Sequence, residues 1–339
     1  MTFSWAIIGP GSIANRFASA LTGVDGARLH CVLGRDAARS ARFAARWRNL
    51  DGSVPAVGGE LGTMLEDPRV DAVYIATPHS HHVPFVEQCL RARKPVLCEK
   101  PLVVNQADAR RLVALARERE TFLMEALWTR FLPVYRTVGR WLREGVIGRV
   151  RVINSSFCFA PNFDPKSRLF DPALAGGVLL DTGVYNLSMS RWVIERSLGR
   201  ACPEPLRISV HGALAPTGVD RRVSGILDFA DGLVVQFVCA SDCLADNALQ
   251  ICGEKGRITI GGRFWEAKQA ALVLPDREPE VIHEPFRVNG FEYEIEEATR
   301  CIREARIQSE SISHEETCAT LGWMDEIRRQ IGVRYPFET

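Results

Sequence analysis

Apolar residues in the first third of the chain fall into short continuous runs, separated by stretches where they recur every three or four positions. "FSWAIIG" (3–9), "ARLHCVLG" (27–34), "VDAVYIAT" (70–77) and "KPVLCE" (94–99) are aromatic, aliphatic and branched runs of strand length. Between them, "SIANRFASALTGV" (12–24) places Ile13, Phe17, Ala20 and Leu21 at helical spacing, and 36–47, 82–92 and 107–120 also read as helices. Asp36 stands where a helix cap is expected. Strands alternating with helices of this length predict a parallel sheet with right-handed crossovers. Beyond residue 148 the pattern changes. "GRVRVINSSFCF", "LRISVHGALA", "RVSGILDFADGLVVQFVCAS" and "ALQICGEKGRITIGG" read as β runs joined by turns, with Asp231-Gly232 a hairpin signal. A closing helix over about 314–331 sets Cys318, Leu321, Met324, Ile327 and Ile331 on one stripe, which reads as packed core.

The 339 residues exceed what one hydrophobic core usually serves, so two domains are expected. With 46% hydrophobic and 24% charged residues the composition is that of an ordinary soluble chain. A formal charge of +1 without a basic run argues against nucleic acid, and residues 3–8 are far too short to span a membrane. The ten cysteines are scattered without a Cys-x-x-Cys pair, and "MTFSWAIIGPGS" is no secretory signal. Reduced thiols and a cytoplasmic location are the expectation.

Candidate chemistry gathers at the ends of the predicted strands. The first strand–helix turn reads "GPGSIA" (9–14), the Gly-x-Gly-x-x-Ala form of the dinucleotide fingerprint. Gly9 permits the tight turn, Gly11 lets a pyrophosphate approach the backbone, and the amides of Ser12 and Ile13 point at the phosphates from a helix N-terminus. The second strand ends in Gly34 and Arg35 where an NAD enzyme carries a carboxylate for the ribose. There glycine leaves room, and Arg35 with Arg39 supplies charge for a 2′-phosphate, so NADP is favoured over NAD. In "ATPHSHH" (76–82), Thr77, His79 and His82 close a strand of the same sheet and read as a loop over the nicotinamide. A metal is not expected, because His81 and His82 are adjacent and no nearby Cys or Glu completes a set. "CEKPL" (98–102) ends the next strand, so the charges of Glu99 and Lys100 are expected at the cofactor crevice.

"GPGSIA", "ATPHSHH", "CEKPL", "MEALWTRFLP" and "GGVLLDTGVY", in this order, resemble the Gfo/Idh/MocA family of NAD(P)-dependent oxidoreductases, and the likeness runs nearly the length of the chain. "EALWTRF" and the tyrosine in "DTGVY" are most similar to the branch holding dihydrodiol dehydrogenases, NADP-dependent xylose dehydrogenases and glucose–fructose oxidoreductase. The resemblance implies an α/β plus α+β protein. A Rossmann domain would cover 1–122. A substrate domain over 123–339 would form an open, mostly antiparallel sheet with one face toward the active site. The other, apolar face would pack on a partner subunit in a homodimer or larger homo-oligomer.

The resemblance also implies roles. Lys100 would sit beside the nicotinamide and hydrogen-bond the substrate oxygen. Tyr185 stands where the family's Asp-x-Gly-x-His motif has histidine, and would take the hydroxyl proton with help from neighbouring positive charge. Asp181, one helical turn earlier, would orient Lys100 or the substrate hydroxyls. Arg130 matches a position near the cofactor with Trp128 beneath it, and His82 matches a histidine close to the nicotinamide. Glu99 would receive a backbone or lysine contact, and Arg168 is assigned to the substrate pocket. The implied activity is hydride transfer between NADP and a hydroxyl or carbonyl carbon of a sugar, polyol or cyclic diol. Two alternatives stay open: a non-catalytic NADP(H)-binding regulator, and a glucose–fructose-type enzyme with a tightly held cofactor.

Overall fold

The computed structural model describes residues 2–338, which divide into two compact units. The first unit holds β1 (Phe3–Ile8), α1 (Ser12–Leu21), β2 (Ala27–Leu33), α2 (Ala37–Arg46), β3 (Ala56–Val57), α3 (Leu61–Glu66), β4 (Ala72–Ile75), α4 (His82–Arg91), β5 (Val96–Glu99), α5 (Gln106–Glu118) and β6 (Leu123–Ala126). Its strands form one parallel sheet in the order β3-β2-β1-β4-β5-β6, the doubly wound arrangement in which strand order reverses between β1 and β4. β1, β4 and β5 are buried along their whole length, which is why they read as unbroken apolar runs.

The second unit contributes α6 (Pro133–Arg143), β7 (Val150–Cys158), α7 (Val184–Leu198), β8 (Arg207–Leu214), β9 (Asp220–Asp228), β10 (Val234–Ala240), β11 (Leu249–Gly253), β12 (Arg257–Ile260), β13 (Gln269–Val273) and β14 (Glu280–His283). These strands make an eight-stranded sheet in the order β14-β13-β12-β11-β7-β10-β9-β8, antiparallel except between β7 and β10. Two helices follow, α8 (Glu292–Arg303) and α9 (His314–Ile331).

The division departs from the expected boundary at residue 122. The first unit runs to Trp128 and takes back Arg287–Cys318. Long-range pairing is the reason: Leu123 donates its amide to the Ile307 carbonyl, and Arg16 and Asn289 exchange side-chain-to-carbonyl bonds at 3.0 and 2.9 Å.

The large sheet also differs from expectation. Ser155 and Asn186 hydrogen-bond at 2.9 Å, so one face of β7 carries α7. Alternation puts Asn154 on the opposite face, in cross-strand register with Gln236 and Gln250. All three are exposed, and on the same face Val152, Val234, Val238 and exposed Ile226 flank them, so the face is mixed rather than uniformly apolar.

Candidate active site

In the first unit the fingerprint turn is built against a neighbouring strand tip. Gly9 has φ +92°, and a Cβ there would lie 2.8 Å from the Ala76 carbonyl oxygen, just past the end of β4. Gly11 closes the turn by donating to the Gly9 carbonyl at 2.8 Å, and no side chain caps α1. Among the described residues no side chain caps the N-terminal amides of α1, which suits them to an anion. The Thr77 hydroxyl, at the tip of β4, is buried without a hydrogen-bond partner. An open glycine turn and an orphaned hydroxyl across the strand-order switch fit a dinucleotide.

At the tip of β2, Asp36 caps α2 by accepting from the Arg39 amide at 3.0 Å, which holds its carboxyl below the usual range. Arg35 is exposed, and Arg39 Nε donates to the Pro10 carbonyl at 3.1 Å, so its guanidinium lies beside the fingerprint turn. Gly34 is required for a reason the sequence did not suggest: a Cβ would meet Pro10 and the Ser40 hydroxyl, each at 2.7 Å. On that side the glycine allows Pro10 and Ser40 to pack close to the backbone.

His82 is engaged by the chain itself. It is fully buried, with Nε2 2.9 Å from the Thr77 carbonyl and Nδ1 3.0 and 3.1 Å from those of Pro101 and Leu102. Burial pushes its pKa below that of an ordinary imidazole. The ring lies between the tip of β4 and the turn after Lys100. His79, 8% exposed, packs edge-on to it at 5.8 Å.

Glu99 also points inward. It is 6% exposed, accepts from the Tyr74 hydroxyl, and receives the Lys100 amide at 3.2 Å. Lys100, next in the chain, is half-buried just past the end of β5. Glu125 pins the far side of this turn, taking the Leu102 amide at 2.9 Å and the Thr317 hydroxyl at 3.1 Å. Tyr74, Glu125 and Thr317 were missed in the sequence because each acts through a contact distant along the chain.

The remaining candidates lie in the second unit. Residues 179–183 wind as a π-helical turn leading into α7, with Asp181 on that turn and Tyr185 in the first turn of α7. Both are buried, and Arg168 grips both carboxylate oxygens of Asp181, at 3.1 and 3.4 Å. The Tyr185 ring packs 5.6 Å from Phe157, which itself stacks on Trp265. Arg130 is buried and donates to the Ser188 hydroxyl on α7 at 3.4 Å. The guanidinium of Arg16 lies 4.7 Å from the Trp128 ring, a contact within the first unit.

Residues 3–127 match the model of the oxidoreductase family with an NAD-binding Rossmann fold, and 135–259 match the GFO/IDH/MocA C-terminal domain. The chain belongs to the GFO/IDH/MocA oxidoreductase family. It is 32% identical to the trans-1,2-dihydrobenzene-1,2-diol dehydrogenases of Mus musculus and Homo sapiens, with 99% of each chain covered in both cases. Among solved structures it is similar to a 3-ketoreductase from Actinomadura kijaniata in complex with NADP and TDP-benzene (TM-score 0.81, 25% identity, 97% and 98% of the two chains). An aldose–aldose oxidoreductase from Caulobacter crescentus shares the fold (TM-score 0.83, 24% identity, 97% of both chains). As in the family, one chain carries a Rossmann unit and a mostly antiparallel unit, and it is an oxidoreductase by descent and by architecture.

Proposed function

We propose that this protein is an NADP-dependent dehydrogenase that oxidises a secondary hydroxyl of a sugar, polyol or cyclic diol, or reduces the matching carbonyl. The end-to-end likeness to diol dehydrogenases carries the reading. Bound NADP supplies the ring that accepts hydride from the carbinol carbon. Tyr185, acting as the phenolate, would take the hydroxyl proton and become the neutral phenol while the C–H and O–H bonds break and the C=O bond forms. Lys100 donates to the substrate oxygen and offsets the charge growing on it. Asp181, oriented by Arg168, accepts from substrate hydroxyls. The test is NADPH formation with a panel of aldoses, polyols and trans-diols.

The preference for NADP rests on Arg35 and Arg39, and on Asp36 being spent on its helix cap. Arg35→Asp is expected to weaken NADP binding by about tenfold or more and to improve NAD binding, since the new carboxylate repels a 2′-phosphate and accepts from ribose hydroxyls. Fluorescence titration of both cofactors checks this; equal affinities in the parent protein would contradict it.

We also propose a homodimer through the open sheet. Exposed Ile226 flanks Gln236, Asn154 and Gln250 on a face without net charge at its centre, the mixed character of many protein interfaces. Light scattering that shows only a particle of about 38 kDa at micromolar concentration would remove this proposal.

A further inference from the structure

We propose that Asp220 is a positioning residue for the catalytic helix: its carboxylate, reaching from β9, caps the start of the turn that presents Asp181 and Tyr185. The inference rests on the roles proposed above for those two residues.

Asp220 is 1% exposed, and its Oδ2 accepts from the Leu179 amide at 2.6 Å. Its Oδ1 has no hydrogen-bond partner and lies where a Cβ on Gly177 would fall, at 2.2 Å. Gly177 itself has φ +115°, so the chain enters the helix through a conformation that favours glycine, pressed against this carboxylate. The rest of the entry is clamped as well. Gly177 donates to the Leu169 carbonyl at 2.8 Å, and the Tyr335 hydroxyl donates to the Gly176 carbonyl at 2.6 Å. On the next turn, a Cβ on Gly183 would meet Cys239 Sγ at 3.1 Å. A carboxylate against the first amides of a helix is in the favourable place for its charge, yet here it comes from a residue 41 positions away.

Burial pushes the Asp220 carboxyl up to about 6, against the lowering effects of the Leu179 amide and of Arg328. The groups that face it are Arg328 from α9, Tyr335 from the C-terminal segment and the Cys239 thiol from β10. Arg328 spends most of its charge on Glu338, at 2.7 and 2.9 Å, and on Asp325 at 2.9 Å. The sign of the linkage is informative. With the folded value above the ordinary 3.8, the neutral carboxyl stabilises the fold fully below about pH 4, and that stability is lost as pH rises toward 6. At neutral pH the ionised carboxylate therefore works against stability. A group kept where it is unfavourable for folding points to a use in function.

Asp220→Asn keeps the shape and an oxygen to accept from Leu179, and removes the charge. The expected result is a kcat lower by about tenfold at pH 8, with NADPH affinity and melting temperature not reduced. In the direction of carbonyl reduction, the parent enzyme should lose kcat as pH falls through about 6, and the variant should not. Hydrogen exchange read on residues 178–187, corrected for intrinsic rates, should show the parent gaining protection as pH falls across the same range, the sign the linkage requires, and the variant staying flat. Unchanged kcat with unchanged exchange overturns the inference. So does a fall in kcat that only tracks a fall in melting temperature, which is the behaviour of a merely structural contact. If exchange responds as expected but Tyr185→Phe retains activity, Asp220 still positions the helix and the tyrosine mechanism is what fails.

Discussion

Lys100→Met and Tyr185→Phe should each lower kcat by about 10² to 10⁴ while leaving NADPH affinity nearly intact, as expected when a positioned proton-handling group is lost. Methionine keeps most of the lysine stem but not its charge. Phenylalanine keeps the ring that packs on Phe157 and loses only the hydroxyl. The turn that holds residue 100 has other anchors: His82 Nδ1 lies against the carbonyls of Pro101 and Leu102, and Glu125 takes the Leu102 amide. An unchanged melting temperature would separate a fall in kcat from a collapsed loop. If the two groups serve one hydroxyl, the double mutant should be barely worse than the poorer single mutant. The measurement is kcat for the four proteins, with NADPH affinity by fluorescence. Near-parental turnover in Tyr185→Phe would hand the proton to Lys100 or to water.

Gly9→Ala should be the most damaging single change in the Rossmann unit. An alanine at φ +92° is strained by about 1–2 kcal/mol, and its methyl would sit 2.8 Å from a backbone oxygen that cannot swing away. Ala76 is itself bonded to the Ile8 carbonyl at 2.8 Å, so relief requires the tips of β1 and β4 to part where the pyrophosphate is proposed to bind. The melting temperature should fall by several degrees and NADPH affinity by about tenfold or more. Gly26→Ala supplies the comparison, because Gly26 has φ +67° with no atom within 4 Å of its would-be Cβ. It should show the strain without the loss of affinity. Equal NADPH affinity in the two variants would contradict this account of the turn.

Local features of the fold were the legible ones. β2 and α4 lie where the apolar periodicity placed them, α9 spans 314–331, and Asp36 caps α2. The Asp231-Gly232 hairpin has both residues at positive φ, +63° and +75°, as that dipeptide suggested. What could not be read depends on contacts between distant positions. Nothing near residue 287 announces that the chain rejoins the first unit; that rests on bonds such as Leu123 to Ile307. The backbone contact expected for Glu99 is present, from the Lys100 amide, but its partner Tyr74 and the carbonyls that His82 meets at Thr77 and Pro101 had no signal in the sequence. Asp220 had no signal in its own neighbourhood, since its partner is the amide of Leu179.

The central claim is that hydride passes directly from a substrate carbinol carbon to NADP on this protein. The most direct measurement uses the best substrate from the panel with deuterium on that carbon, under single-turnover conditions, and reads the label in the reduced cofactor by mass spectrometry. The account predicts one deuterium on the nicotinamide ring for each carbonyl formed, and a rate lower by about 10² to 10⁴ in Tyr185→Phe. Unlabelled cofactor, or no turnover with any member of the panel while NADPH still binds, would contradict it and leave a nucleotide-binding regulator in its place.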